Sequence, residues 1–81
     1  MENYEIAKIL REIAFFLEMD DVQFKPRAYE RATMSIETLE EEVGEIYRRG
    51  GVKALLEIPS VGRSIAEKIE ELIRTGKLKY K

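Results

Sequence analysis

The run Leu55-Leu56-Glu57-Ile58-Pro59-Ser60-Val61-Gly62-Arg63-Ser64-Ile65-Ala66-Glu67-Lys68-Ile69 is where residue type and spacing point most directly to chemistry. A short helix turns through a small–hydrophobic–Gly step into a longer helix, with Ala66 four residues past Gly62. Pro59 is placed to end the first helix, and Gly62 to let the backbone turn sharply and approach another molecule closely. Val61 plugs the gap between the helices, and Ala66 is small enough to let them pack tightly. The N–H groups of Gly62, Arg63 and Ser64 then lie at a helix N-terminus, where unpaired donors and the helix dipole favour an anion such as a phosphate. A tight helix–helix corner with no ligand accounts for the same spacing.

Composition removes most competing chemistry. The chain has 81 residues, with no Cys and no His. Thiol and imidazole metal ligands, disulfides and imidazole acid–base catalysis are therefore excluded. Glu40-Glu41-Glu42 and Asp20-Asp21 are carboxylate clusters at helix starts, a placement the dipole favours without any metal. No apolar run approaches the roughly 20 residues of a membrane span. The N-terminus lacks a signal peptide's basic start and apolar stretch, so the cytoplasm is the default compartment.

Positioning falls to helices, because no period-two strand pattern occurs. Ile6, Ile9, Leu10, Ile13 and Leu17 form one apolar stripe on a helix over about 4–17, with Asn3 as N-cap and Phe15 and Phe16 widening the stripe. Pro26 suits the first turn of a second helix, whose inner face is Tyr29, Ala32, Thr33 and Ile36. Thr38-Leu39-Glu40-Glu41 has capping-box spacing and predicts a third helix burying Leu39, Val43 and Ile46, stopped by Gly50-Gly51 after Arg48-Arg49. A short fourth helix follows at 52–57, and a fifth at 63–75 buries Ile65, Ile69, Leu72 and Ile73 before Gly76. The expected fold is one all-α domain over 1–81, a compact bundle of four to five short helices. The tail 77–81 is read as a cut through a longer polypeptide or a short basic tail.

The hairpin at about 52–75 resembles the helix–hairpin–helix motif, with Ser60 where the family pattern has its first glycine. The resemblance widens to Asn3…Ile6-Ala7…Leu10, then Phe24-Lys25-Pro26-Arg27-Ala28-Tyr29-Glu30-Arg31-Ala32, Ile36-Glu37, and Thr75-Gly76-Lys77-Leu78. Taken together these look like the N-terminal 8 kDa domain of family X DNA polymerases, of the polymerase beta type and closest to bacterial and archaeal members. The resemblance implies a repair role: sequence-independent binding of gapped or nicked DNA on the 5′-phosphate side, with a polymerase domain in the same longer chain. It places Lys25, Arg27, Tyr29, Arg31, Ser60, Val61, Gly62, Arg63, Ser64 and Lys68 at the DNA. It also implies a monovalent cation, Na⁺ or K⁺, bridged by the backbone carbonyls of Leu56, Ile58 and Val61.

Some members of that family are 5′-deoxyribose-phosphate lyases of base excision repair, and Ala66-Glu67-Lys68-Ile69 puts Lys68 in the place of their Schiff-base lysine. Tyr29 matches a tyrosine near that lysine, and Lys25 a basic residue at the 5′-phosphate. Ser64 and Leu56 replace basic residues of the family's pocket, and Phe24 replaces a polar His. Lys68 also reads as a plain solvated helix residue beside Glu67 and Glu71. A non-DNA reading, a hairpin that packs on a partner protein, remains beside the binding and lyase readings. This chain alone carries no polymerase active site, and a monomer is expected.

A net charge of −2 argues against a polyanion partner until it is divided along the chain. Residues 1–22 are net −4 and 32–46 net −5, whereas 23–31 are net +2, 47–56 net +3 and 77–81 net +3, with 57–76 at net −1. Positive charge thus gathers at the second helix's start, the approach to the hairpin and the tail.

Overall fold

A computed structural model of the chain describes residues 2–19 and 25–76. It has four helices: α1 (Asn3–Met19), α2 (Lys25–Glu37), α3 (Val43–Leu55) and α4 (Arg63–Thr75). No strand occurs among the described residues. The readings made at Asp20-Asp21, Phe24 and the tail 77–81, and the side chain of Lys25, lie outside them.

Helix α1 packs on α2 and α3 on α4, and one core joins the two pairs. Ile6, Leu10 and Ile13 supply it from α1, with Ile9 and Leu17 packed at its edge, as their helical spacing predicts. Ala7 and Ala14 join them in the core. Tyr29, Ala32, Thr33 and Ile36 of α2 are all buried. Thr33 brings a buried hydroxyl with no hydrogen-bond partner. Phe15 and Phe16 do not widen the stripe: they are exposed and stack edge to face on each other, centroids 5.9 Å apart. Their positions turn off the buried arc of the helix, which ends with Ala14 and Leu17.

Two predicted termini are corrected. Thr38 caps no helix: its N–H bonds back to Met34 and Ser35, and its hydroxyl donates to the Ser35 carbonyl, so it finishes α2. Helix α3 begins at Val43, with Glu42 as N-cap and no cap from its own side chain. The cap arrives from α1. Asn3 Oδ1 accepts the Val43 N–H at 2.7 Å, Asn3 Nδ2 donates to the Glu41 carbonyl at 2.8 Å, and a Glu42 carboxylate oxygen accepts the Asn3 N–H at 3.1 Å. Asn3 therefore caps α3 rather than its own helix, which instead uses Glu5 Oε1 to accept the N–H of Glu2 at 2.8 Å.

The third and fourth predicted helices are the two arms of one kinked α3. The break is at Gly51 alone, at φ 67° and ψ −157°, a conformation essentially restricted to glycine. Gly50 stays helical, and packing is what asks for glycine there, since a Cβ would stand 2.7 Å from the Ala54 Cβ. Gly76 ends α4 as expected, in the left-handed conformation with its N–H on the Leu72 carbonyl at 2.7 Å.

Candidate nucleic-acid interface

The hairpin turn fills the gap between Leu55 and Arg63 and is held from below. Leu55, Ile58 and Val61 are buried, while Pro59, Ser60 and Gly62 are exposed. The helix ends before Pro59: the N–H of Leu56 bonds the Val52 carbonyl, that of Ile58 bonds Leu55, and that of Val61 closes the turn on Ile58 at 3.1 Å. Two buried hydrophobic anchors and a closing hydrogen bond thus lift the tip of the turn into solvent. Val61 and Ala66 lie where the spacing requires, both in the core.

The tip distributes its conformations differently from the sequence reading. Ser60, not Gly62, takes the left-handed backbone, at φ 68°. Serine lacks glycine's freedom there, and the position costs on the order of 1 kcal/mol. Gly62 is extended, at φ −92° and ψ −175°, and a Cβ added to it meets nothing within 4 Å. Neither conformation nor packing inside the chain asks for glycine at 62. Its effect is to leave the surface bare.

Gly62 is also the N-cap of α4 and has no side chain to cap with. Its carbonyl accepts the Ala66 N–H at 2.8 Å, so the N–H groups of Arg63, Ser64 and Ile65 precede the first intrahelical donor. They lie beside the bare Gly62 surface. Arg63 stands at the rim, exposed, 3.6 Å from Glu67.

Helix α2 reaches this turn through Tyr29. Burial raises the pKa of its hydroxyl, and a hydrogen-bonding contact with Ser64 partly opposes the shift. Tyr29, the turn 60–64 and, one helical turn beyond Ser64, the half-buried Lys68 are therefore brought together. Arg27 and Arg31 are not gathered with them. Each lies two residues from Tyr29, which puts it on another face of α2. Both are exposed and neither forms a salt bridge among the described residues. The cations near the hairpin approach are partly neutralised instead. Arg49 makes two hydrogen bonds to Glu41, at 2.7 and 3.1 Å, holding that carboxyl below its ordinary pKa, and Arg48 pairs with Glu45 at 3.2 Å.

The sequence did not reveal how the hairpin arms are tied. Tyr47 on α3 donates to Glu70 on α4 at 2.6 Å, which raises the tyrosine's pKa. Nothing local marks a pair separated by 23 residues. Ser60, which stands where the family pattern has its first glycine, is the residue that takes the left-handed conformation at the turn.

Among the described residues, no cluster of three or more acidic side chains could hold a metal ion, and no helix is long and apolar enough to cross a membrane. A search of curated proteins finds no match. A family model for the helix-hairpin-helix domain matches residues 1–78. The turn between α3 and α4 is the hairpin of the family's name, and the chain belongs to the helix-hairpin-helix domain family, whose members generally bind DNA.

Proposed function

We propose that this chain binds gapped or nicked DNA by its backbone, on the 5′-phosphate side and without reading sequence, as the N-terminal domain of a family X DNA repair polymerase. The observation that carries the binding is the start of α4, where Gly62 is the N-cap, brings no side chain over the first N–H groups, and no side chain among the described residues caps them. A phosphate oxygen seated there would accept the free N–H groups of Arg63 and Ser64, with the Ser60 and Val61 backbone alongside. Arg27 and Arg31, and with them Lys25, would add charge along a second stretch of backbone, and Tyr29 would hold the turn's position through Ser64. The carbonyls of Leu56 and Val61 accept no backbone N–H among the described residues, and that of Ile58 accepts one. The three fit an oxygen-coordinated Na⁺ or K⁺, which would supply positive charge beneath a phosphate.

The test is fluorescence anisotropy on a one-nucleotide gap with and without a 5′-phosphate. Tighter binding to the phosphorylated gap is expected, with a log–log salt slope of about −2 to −4, corresponding to roughly two to four neutralised phosphates. Equal, weak binding to any polyanion would overturn the reading.

The half-buried position of Lys68, one turn from Ser64, favours a second reading as a 5′-deoxyribose-phosphate lyase. The Lys68 amine would add to the sugar aldehyde and expel water to form an imine. Loss of the C2′ proton would then break the C3′–O bond, releasing the DNA 5′-phosphate. Ser64 and Leu56 put no second cation beside the amine, so the activity expected is weak. Borohydride trapping on a pre-incised abasic oligonucleotide should yield an adduct that Lys68→Ala abolishes; an undiminished adduct excludes Lys68 as the nucleophile.

A further inference from the structure

Helix α1 turns an unusual face to solvent. Tyr4 is 66% exposed, Phe15 59% and Met19 67%, and with Lys8, Arg11 and Glu12 they line one side of the helix. Single exposed apolar residues are ordinary, but three large ones in a single stripe are not. Two surface grooves run along it, sharing Lys8 and Glu12: one is lined by Tyr4, Glu5, Lys8, Ile9 and Glu12, the other by Lys8, Arg11, Glu12, Phe15 and Phe16.

The stripe is symmetric about its own midpoint. Positions 4, 8, 11, 12, 15 and 19 are spaced 4, 3, 1, 3 and 4, which read the same in both directions. Laid against itself antiparallel, the stripe pairs Tyr4 with the partner's Met19, Lys8 with the partner's Phe15 and Arg11 with the partner's Glu12. Each match is chemically complementary: sulfur on an aromatic ring, a cation over an aromatic face, and opposite charges. A parallel arrangement would set Lys8 on Lys8 and Glu12 on Glu12. Mixed signs along the stripe make it a poor surface for a polyanion, whereas Arg11, bonded to Glu37 at 2.6 Å through one nitrogen, keeps donors for a second carboxylate.

We propose that the outer face of α1 binds a second copy of this chain, as an antiparallel helix pair about a two-fold axis between residues 11 and 12. The interface is isologous, so it closes at the dimer, and its stripe uses no residue of either hairpin. A single helix pair buries less than the roughly 1,200 Å² of a standard stable interface. The chain is therefore a monomer when dilute and pairs as it is concentrated.

Sedimentation velocity between about 20 µM and 1 mM should show the average mass rising from 9.5 kDa toward twice that value. Phe15→Ser and Glu12→Arg, both at exposed positions, should each weaken the association about fivefold or more with the circular dichroism unchanged. The register is read by spin-labelling an exposed position beside the seam. The described residues contain no cysteine, so Glu18→Cys gives a defined label. Mixed with ¹⁵N-labelled wild type, it should broaden amides near Tyr4 and Glu5 of the other copy. A constant mass up to 1 mM overturns the proposal, and so does broadening at the Met19 end or on α2 or α4. Phosphorylated-gap binding is measured at nanomolar to micromolar protein and is indifferent to this result.

Discussion

The two helix pairs share one core but differ in how their chain is used. In α1–α2 the helices are unbroken, their contact is the more extensive, and the small residues Ala7, Ala14 and Ala32 are buried at 0–2% exposure. In α3–α4 the contact is slighter and the irregular backbone is concentrated: Gly51 breaks α3, Ser60 is held left-handed, and α4 starts without a side-chain cap. The first pair gives its chain to packing. The second gives part of its stability to an exposed turn. A DNA-binding domain of this size needs both, because the turn's amides are useful only where a rigid base holds them.

If that division is right, stability and binding respond to different residues. Leu10→Ala, in the fully buried centre of α1, should cost about 3 kcal/mol in urea unfolding, while DNA affinity of the folded fraction is unchanged. Asn3→Ala removes the cap that α1 lends to α3 and should cost about 1–2 kcal/mol. It also tests whether the pairs are one unit: a second transition in hydrogen exchange of α3, separate from global unfolding, would divide them. Gly62→Val fills space that is empty in the free chain but loses a favoured N-cap residue, so stability should fall by no more than about 1 kcal/mol while DNA affinity falls about tenfold. A drop in stability with unaltered affinity would place Gly62 on the packing side of the division.

Smaller effects sharpen the contrast. Ser60→Gly should raise stability by about 0.5–1 kcal/mol by relieving the left-handed strain. The smallest concerns pH. Tyr29 and Tyr47 have pKa values raised on folding, Tyr29 by burial and Tyr47 chiefly by its hydrogen bond to Glu70. A raised folded pKa gives stability that is fully present below the unfolded value near 10 and is lost as pH rises through the folded value. Alkaline titration of tyrosinate absorbance should therefore show the α3–α4 tie between Tyr47 and Glu70 failing above pH 10, and Tyr47→Phe should remove part of that sensitivity.

Periodicity disclosed most of the scaffold. Ile6, Leu10, Ile13, Ile36, Ile65, Ile69 and Leu72 are buried because a 3.6-residue repeat admits one inner face. The hairpin and its anchors Val61 and Ala66 were equally legible, since a small–hydrophobic–Gly step between two apolar repeats leaves few geometries. The start of α3 was not. Thr38 has the spacing of a cap, but a cap is decided by which N–H groups remain unpaired, and Asn3 satisfies that of Val43 from 40 residues away. The roles at the tip were exchanged for a related reason: spacing says that the turn needs a left-handed residue, not which one. Charge misled in the same manner, because Arg48 and Arg49 look available in sequence and are paired in the fold with Glu45 and Glu41.

Titration of the ¹⁵N-labelled chain with a 5′-phosphorylated gapped duplex, followed amide by amide, tests the central claim most directly. The largest shifts should fall on Gly62, Arg63 and Ser64, diminish with added salt, and leave Ile6, Leu10 and Ile13 unmoved. Shifts centred on α1, or spread evenly over the cations without a maximum at the turn, would contradict the account.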